Sequence, residues 1–388
     1  SGNLKEKTDV KGNTTSYTYD SINQVVTEKD PAGGEVSYTY DVLGNVSSIT
    51  DANGDQTTYG YDANKNLVLY TDAKGKTTAL KYDPLSRLTE TVSPTGAVQQ
   101  FAYDHVGNKT SEISAEGHQT SYAYDSMSRL SKVTRPTGGE KTYTYDQSGS
   151  LLTETDENNH QTTYENDLHG QTISRTLANG AKYGYAYDKL GRLIKQTAPK
   201  GLSQSFTYDV SGNLVQQTDQ SKRTTSYKYD KAGNVLSMTN PADLTTQFSY
   251  DQTGHLTQAT SPGGGKTKYT YDVLDQLKTV TKPTGRQTAY DYDPVGQLTT
   301  RTINGDRKET YHYDPNGNLT ETVNALGQKQ TNSYDDGNRL VSETNTAGQI
   351  TAYQYDNDDR LTNVTTSTGV QAQFSYDKAR AGFNAINT

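Results

Sequence analysis

Three groups of residues have the types that chemistry requires. The six histidines are His105, His118, His160, His169, His255 and His312. Imidazoles ligate metals or move protons, but no two of these stand at a metal-ligand spacing, and no serine lies in a recognisable nucleophile motif. Adjacent acids at Asp335-Asp336 and Asp358-Asp359 are the residue type of a glycosidase pair. A third group is an aspartate recurring every 21 residues, eighteen times, which would offer a row of oxygens to calcium. The Gly-Gly-x-Gly-x-Asp signature of calcium β-rolls is absent. For all three groups the expected role is that of surface turn residues, with no catalytic, cofactor or metal site.

The periodic aspartate follows a tyrosine. Tyr-Asp stands at Tyr19, Tyr40, Tyr61, Tyr82, Tyr103, Tyr124, Tyr145, Tyr187, Tyr208, Tyr229, Tyr250, Tyr271, Tyr292, Tyr313, Tyr334, Tyr355 and Tyr376. The single gap, of 42 residues, is filled by Asn166-Asp167. Two residues before the tyrosine, sixteen of eighteen copies are aromatic, the exceptions being Leu80 and Asn332. Alternate strand residues share a face, so the aromatics form one ladder on a half-buried strand. Truncating Tyr229 to Ala is therefore expected to cost about 3–5 kcal/mol locally.

The aspartate (Asp20, Asp41, Asp104, Asp188, Asp230 and Asp314 among them) opens a tight turn, with Gly three residues later in ten copies. Six residues after the tyrosine, fifteen copies carry Leu or Val and begin a second strand. A second turn closes the unit, with Gly seven residues before the next tyrosine in fourteen copies. Asn53-Gly54 and Asn179-Gly180 have the form of Asn-Gly hairpin turns. Asn166, Thr172 and Asn332 interrupt otherwise filled positions, which reads as drift in a tolerant array.

These units predict an all-β chain of eighteen 21-residue antiparallel hairpins. About 36 strands at roughly 4.8 Å each make a strip of about 170 Å. Open sheets beyond about ten strands curl or split, so the strip is expected to curl into a spiral wall or hollow solenoid. Residues 1–377 read as one array truncated at both ends, and 378–388 as a non-repeat tail.

Composition limits the partners. A net charge of −8 and a pI near 5.3 argue against a nucleic-acid surface. A mean hydropathy of −0.92 would suggest disorder, but 31 tyrosines can pack rings while keeping their hydroxyls satisfied. There is no cysteine, no apolar run long enough to span a membrane and no leader-like segment.

Units such as Ser37-Tyr38-Thr39-Tyr40-Asp41-Val42-Leu43-Gly44-Asn45-Val46 and Tyr311-His312-Tyr313-Asp314-Pro315-Asn316-Gly317-Asn318-Leu319 resemble the YD-repeat, or RHS-repeat, family. That family includes bacterial Rhs and wall-associated polymorphic toxins, toxin-complex shell subunits and teneurins. The resemblance implies a hairpin strip spiralling into a hollow shell, which in the toxins encloses a C-terminal effector. No stretch resembles the self-cleaving core region of those toxins. The resemblance thus implies a non-catalytic structural shell or scaffold segment of a large secreted or surface bacterial toxin-like protein. Its partner would be an enclosed effector from the same polypeptide. The alternative is a surface adhesion or stalk module that binds carbohydrate, cell wall or a partner protein.

Overall fold

The computed structural model describes residues 2–376 and 384–386. They form an all-β chain of antiparallel hairpins in a long curled strip, with no α-helix among them; one 3-10 turn, Pro199–Gly201, is the exception to strand and loop. The expected tail falls mostly outside the described residues. Within it, Asn384–Ile386 pairs antiparallel with Gln371–Ser375.

One repeat shows the construction. Glu35–Tyr40 pairs with Val46–Thr50 through Ser37↔Thr50, Tyr38↔Ile49 and Thr39↔Ser48, then slips to Tyr40↔Val46. The slip is a β-bulge, and it recurs in hairpin after hairpin at the position of the Tyr-Asp tyrosine. A bulge bends its strand and increases the local twist, so one bulge per 21 residues builds curvature into every unit. Between hairpins the ladder is shorter. Val46–Thr50 meets Gln56–Tyr61 through three pairs only, Ser48↔Thr58, Ile49↔Thr57 and Thr50↔Gln56, all near the second turn. Neighbouring hairpins are therefore joined by backbone at the second-turn edge and leave the Tyr-Asp edge to side chains.

Both turns are type I followed by a residue with positive φ. At the first turn of this repeat, the Gly44 N–H donates to the Asp41 carbonyl, and Gly44 has φ 83°. The same place is held by Asn23, Lys65 and Asp275 at φ near 60–70°, at the modest cost that non-glycine residues bear there. The Asn-Gly pairs behave differently from a two-residue hairpin turn. A type I′ turn needs positive φ at both central residues, yet at Asn53-Gly54 and Asn179-Gly180 only the glycine has it. Consecutive positive φ occurs instead at Asn304-Gly305.

The strip has no globular core. Val133, 8% exposed, is the one buried apolar residue among those described. The chain exposes 23176 Å², against about 15,000 Å² for a compact globule of its mass. Most strand residues are half-buried, so stability comes from many shallow contacts between neighbours.

Contacts group the chain into two units. The first comprises Ser1–Tyr103, Glu112–Gln119 and Lys268–Thr388, the second Asp104–Ser111 and Thr120–Thr267. In the first unit two stretches of strip meet edge to edge. Second turns of the early stretch touch Tyr-Asp turns of the late one: Lys11 with Asp275, Asn53 with Asp293, Lys74 with Asp314 and Lys76 with Asp336. Partners in these contacts lie about twelve repeat lengths apart in sequence.

Candidate functional site

The residues with chemical potential are used by the wall itself. In the Tyr-Asp turns the aspartate Oδ1 typically accepts two backbone N–H groups, two and four residues on. Asp230 takes those of Ala232 and Asn234, and Asp20, Asp41, Asp104, Asp188 and Asp314 repeat the pattern at 2.8–3.0 Å. The carboxylate of Asp230 lies below the ordinary range because hydrogen bonds from Asn234, first its side chain and then its backbone, favour the ionised form.

The tyrosine hydroxyl reaches back fifteen residues to the carbonyl that opens the preceding hairpin's second strand. Tyr19 donates to Leu4, Tyr40 to Val25, Tyr145 to Leu130, Tyr229 to Leu214 and Tyr376 to Leu361, at 2.6–2.8 Å. Tyr124, Tyr187, Tyr208, Tyr250, Tyr292, Tyr313, Tyr334 and Tyr355 do the same at 2.8–3.0 Å. This bond spans the edge where the backbone ladder between hairpins has stopped.

Asn166 keeps the bond without the ring. Its Nδ2 donates to the Leu151 carbonyl at 2.8 Å, and its Oδ1 accepts the Thr172 hydroxyl at 2.9 Å. Asn166 and Thr172 are thus one polar pair replacing a Tyr/Leu pair, not two drifts. Asn166→Ala should lower the stability of this hairpin by about 1 kcal/mol. Asn166→Tyr with Thr172→Leu should raise it by about 1–2 kcal/mol through added apolar burial. Hydrogen exchange of residues 151–176 checks both. Asn332 is different: its Nδ2 shares the Leu319 carbonyl with Tyr334, while its Oδ1 is buried without a partner.

A feature not singled out in the sequence stitches the same edge. Five residues after the tyrosine, arginine recurs at Arg87, Arg129, Arg192, Arg339 and Arg360. Each guanidinium lies 4.8–5.0 Å from the ring of the next Tyr-Asp tyrosine: Tyr103, Tyr145, Tyr208, Tyr355 and Tyr376 respectively. Arg129, Arg192 and Arg339 also hold their own turn aspartate through Nε at 2.7 Å and donate to the carbonyl of the next one. Their five-fold recurrence at one phase was the signal available in the sequence.

The paired acids do not face each other as a catalytic dyad. Asp335 binds Arg339, Asp336 binds Lys76, and Asp359 binds Arg339. Asp358 corrects the expectation of a solvated turn residue. It is 14% exposed and accepts the Ser114 hydroxyl at 2.9 Å and the Glu116 N–H at 3.1 Å, with His118 Nδ1 at 3.4 Å. His118 thus lies in the seam. His160, His169 and His255 pair with turn aspartates, and His105 and His312 are exposed. No cluster of three or more metal-ligating side chains occurs among the described residues. The second unit has an open groove of about 740 Å³ lined by Glu154, His160, Tyr164, Arg175 and Asn179 among others.

No curated protein matches the sequence. The teneurin YD-shell family model matches residues 97–280. The RHS repeat model matches 1–35, 21–56, 40–77, 61–98, 271–308, 292–329 and 334–371, together just over half the chain. Among solved structures, the fold is similar to one from the Photorhabdus luminescens Tc holotoxin pore (TM-score 0.58, 16% identity, covering 96% of this chain and 22% of that one). It is also similar to one from the TcdB2-TccC3 crystal structure (TM-score 0.53, 14% identity, 99% of this chain and 33% of that one). A third is from TcdB2-TccC3-Cdc42 (TM-score 0.53, 13% identity, 96% and 27%). This chain therefore spans a third or less of the length of those it resembles. A sheet stitched at both edges, the 21-residue period and the matched repeats agree: the chain belongs to the RHS-repeat, or YD-repeat, family.

Proposed function

We propose that the chain is a non-catalytic wall segment of a large secreted or cell-surface, toxin-like bacterial protein, and that the wall encloses an effector from the same polypeptide. The Tyr-Asp tyrosines form its packing spine, and residues 1–377 act as one array. The observation that carries this reading is the double stitching. Backbone joins hairpins at the second-turn edge, tyrosine and arginine side chains join them at the other, and the seam joins two stretches of strip. Such a wall resists local opening and leaves few gaps. The likeness in fold to chains from Tc toxin structures supports the same reading.

The test is limited proteolysis of the natural full-length polypeptide. The segment downstream of the wall should be cleaved at least tenfold more slowly in place than when produced alone. Equal rates would overturn enclosure.

The groove in the second unit favours one alternative, an adhesive module for carbohydrate. A tyrosine ring beside Arg175, Glu154 and Asn179 is chemistry that holds sugar hydroxyls. Glycan-array binding lost on Tyr164→Ala would support that alternative.

A further inference from the structure

Two arginines stand at the same place in the repeat, nine residues after the Tyr-Asp position: Arg175 and Arg301. Both are fourth in a second strand, Thr172–Thr176 and Leu298–Ile303. Both have a tyrosine across one ladder, Tyr164↔Arg175 and Tyr290↔Arg301. They differ across the other. Arg301 faces Glu309, whose Oε2 accepts the Arg301 Nε at 2.8 Å and lies 2.6 Å from a terminal nitrogen. The Tyr311 hydroxyl donates to the same oxygen at 3.0 Å. Arg175 faces Tyr183 instead, whose ring centre is 4.9 Å from the guanidinium carbon. The ring attracts the cation but brings no negative charge. The Arg175 Nε is buried without a hydrogen-bond partner, and no carboxylate among the described residues lies within ion-pair distance of the guanidinium. A half-buried guanidinium without a counter-charge is unfavourable.

Arg175 also lines the groove of the second unit, whose volume of about 740 Å³ falls in the range of roughly 300–1,000 Å³ usual for ligand sites. The acids of that groove are already engaged. Glu154 is paired with Lys141 and accepts the Tyr164 hydroxyl at 3.1 Å. The hydrogen bond from Lys141 first, then the charge of Lys141, the Tyr164 hydroxyl and the charge of Arg175, outweigh burial and hold Glu154 below the ordinary range. It is thus an ionised acceptor. Asp156 accepts the turn N–H groups of Asn158 and His160, and the His160 ring lies 3.1 Å away. Asn179 uses its Oδ1 on the Ala181 N–H, which leaves its Nδ2 as a donor. The groove therefore offers one cation without an anion, ionised oxygen acceptors and an amide donor.

What fits is a ligand with a single negative charge among several hydroxyls. A neutral sugar leaves the guanidinium without a counter-charge. A phosphate dianion or a run of acidic residues sets its further charges against Glu154 and Asp156. A uronic acid carries one carboxylate on a ring of hydroxyls. We propose that the groove binds an acidic sugar of the uronate class, with its carboxylate on the terminal nitrogens of Arg175 and its hydroxyls on Glu154 and Asn179. The ligand does for Arg175 what Glu309 does for Arg301 within the chain. The proposal rests on the carbohydrate reading of the groove, whose ligand class it names, and is independent of what the wall encloses.

Two disaccharides that differ in one group test it by calorimetry on the 388-residue chain at low salt. Cellobiouronic acid carries a carboxylate on its terminal ring where cellobiose has a hydroxymethyl. The acid should bind about tenfold or more tightly, and the difference should shrink as salt rises. Arg175→Gln should bring the two affinities together. So should Tyr183→Glu, which puts across from Arg175 the side chain that Arg301 already has and so occupies the guanidinium from within. Hydrogen exchange in residues 172–187 should show the hairpin kept in both variants. Equal affinities in the unaltered chain overturn the proposal and leave the carbohydrate reading standing; binding of neither sugar overturns both. A preference that survives either substitution overturns the assignment to Arg175. Tighter binding of tri-glutamate than of the acidic sugar overturns the proposal in favour of an acidic peptide.

Discussion

Tyr229→Ala should destabilise its own hairpin and the one before it by about 2–4 kcal/mol, and leave distant hairpins unchanged. The ring is half-buried and its hydroxyl donates to the Leu214 carbonyl at 2.7 Å. Burial first, then the neighbouring Tyr227 and Asp209, push the phenol above its ordinary pKa, so it remains a donor at every pH at which the protein would be handled. Full core burial would put the cost at about 3–5 kcal/mol; a ring open to water on one side loses less, which lowers the range. Tyr229→Phe isolates the hydroxyl and should cost about 1 kcal/mol. The readout is native-state hydrogen exchange in residues 203–239, because an array of coupled repeats does not unfold as one two-state unit. Protection should fall by more than tenfold there for the alanine variant. A change below 1 kcal/mol would show that the ring does not hold the Tyr-Asp edge closed.

The fold was largely legible because one short unit recurs without insertion. Strand limits, turn positions and antiparallel neighbours all follow from a fixed spacing of Tyr, Asp, Gly and Leu, each with a local physical role. What escaped the sequence depends on geometry across repeats. The fifteen-residue reach of Tyr229 to Leu214 needs the inter-hairpin ladder to stop early, and pairing rules do not give that. The Asn166–Thr172 pair looked like two lapses because the residues lie six apart in sequence and face each other only across the bulge. The Asn-Gly steps suggested two-residue turns, whereas the 21-residue unit uses a type I turn with a bulge at both ends. The seam was the least legible. It joins residues some 240 apart through side chains that differ from copy to copy, so no periodic signal marks them. Arg129 and its equivalents lie between these cases: periodic, but in only five copies.

Removing the Asp358 carboxylate should open the seam without unfolding the hairpins on either side. Asp358→Ala removes the acceptor of the Ser114 hydroxyl and the Glu116 N–H and the partner of His118, while Arg360, 3.6 Å away, keeps its closer bond to Asp356. Because Asp358 is 14% exposed, solvent screens these contacts little. Stranding its partners should cost about 1–3 kcal/mol of local stability. Exchange in residues 112–119 should rise by roughly 5- to 100-fold at neutral pH, while hairpins of the second unit keep their protection. Acid should reproduce the effect in the unaltered chain. Burial pushes Asp358 up, but hydrogen bonds from Ser114, Glu116 and His118 and the charge of Arg360 together hold it below its ordinary value of 3.8. Asp314 behaves likewise: burial raises it, and Asn318 and Lys74 outweigh that. A carboxylate depressed in the folded state gives stability that is complete above its unfolded pKa and is lost as pH falls through the lower folded value. The seam should therefore be intact at pH 5 and part only below about pH 3.8. Seam exchange that rises between pH 7 and 5 would show that another group, not these aspartates, holds the two edges together.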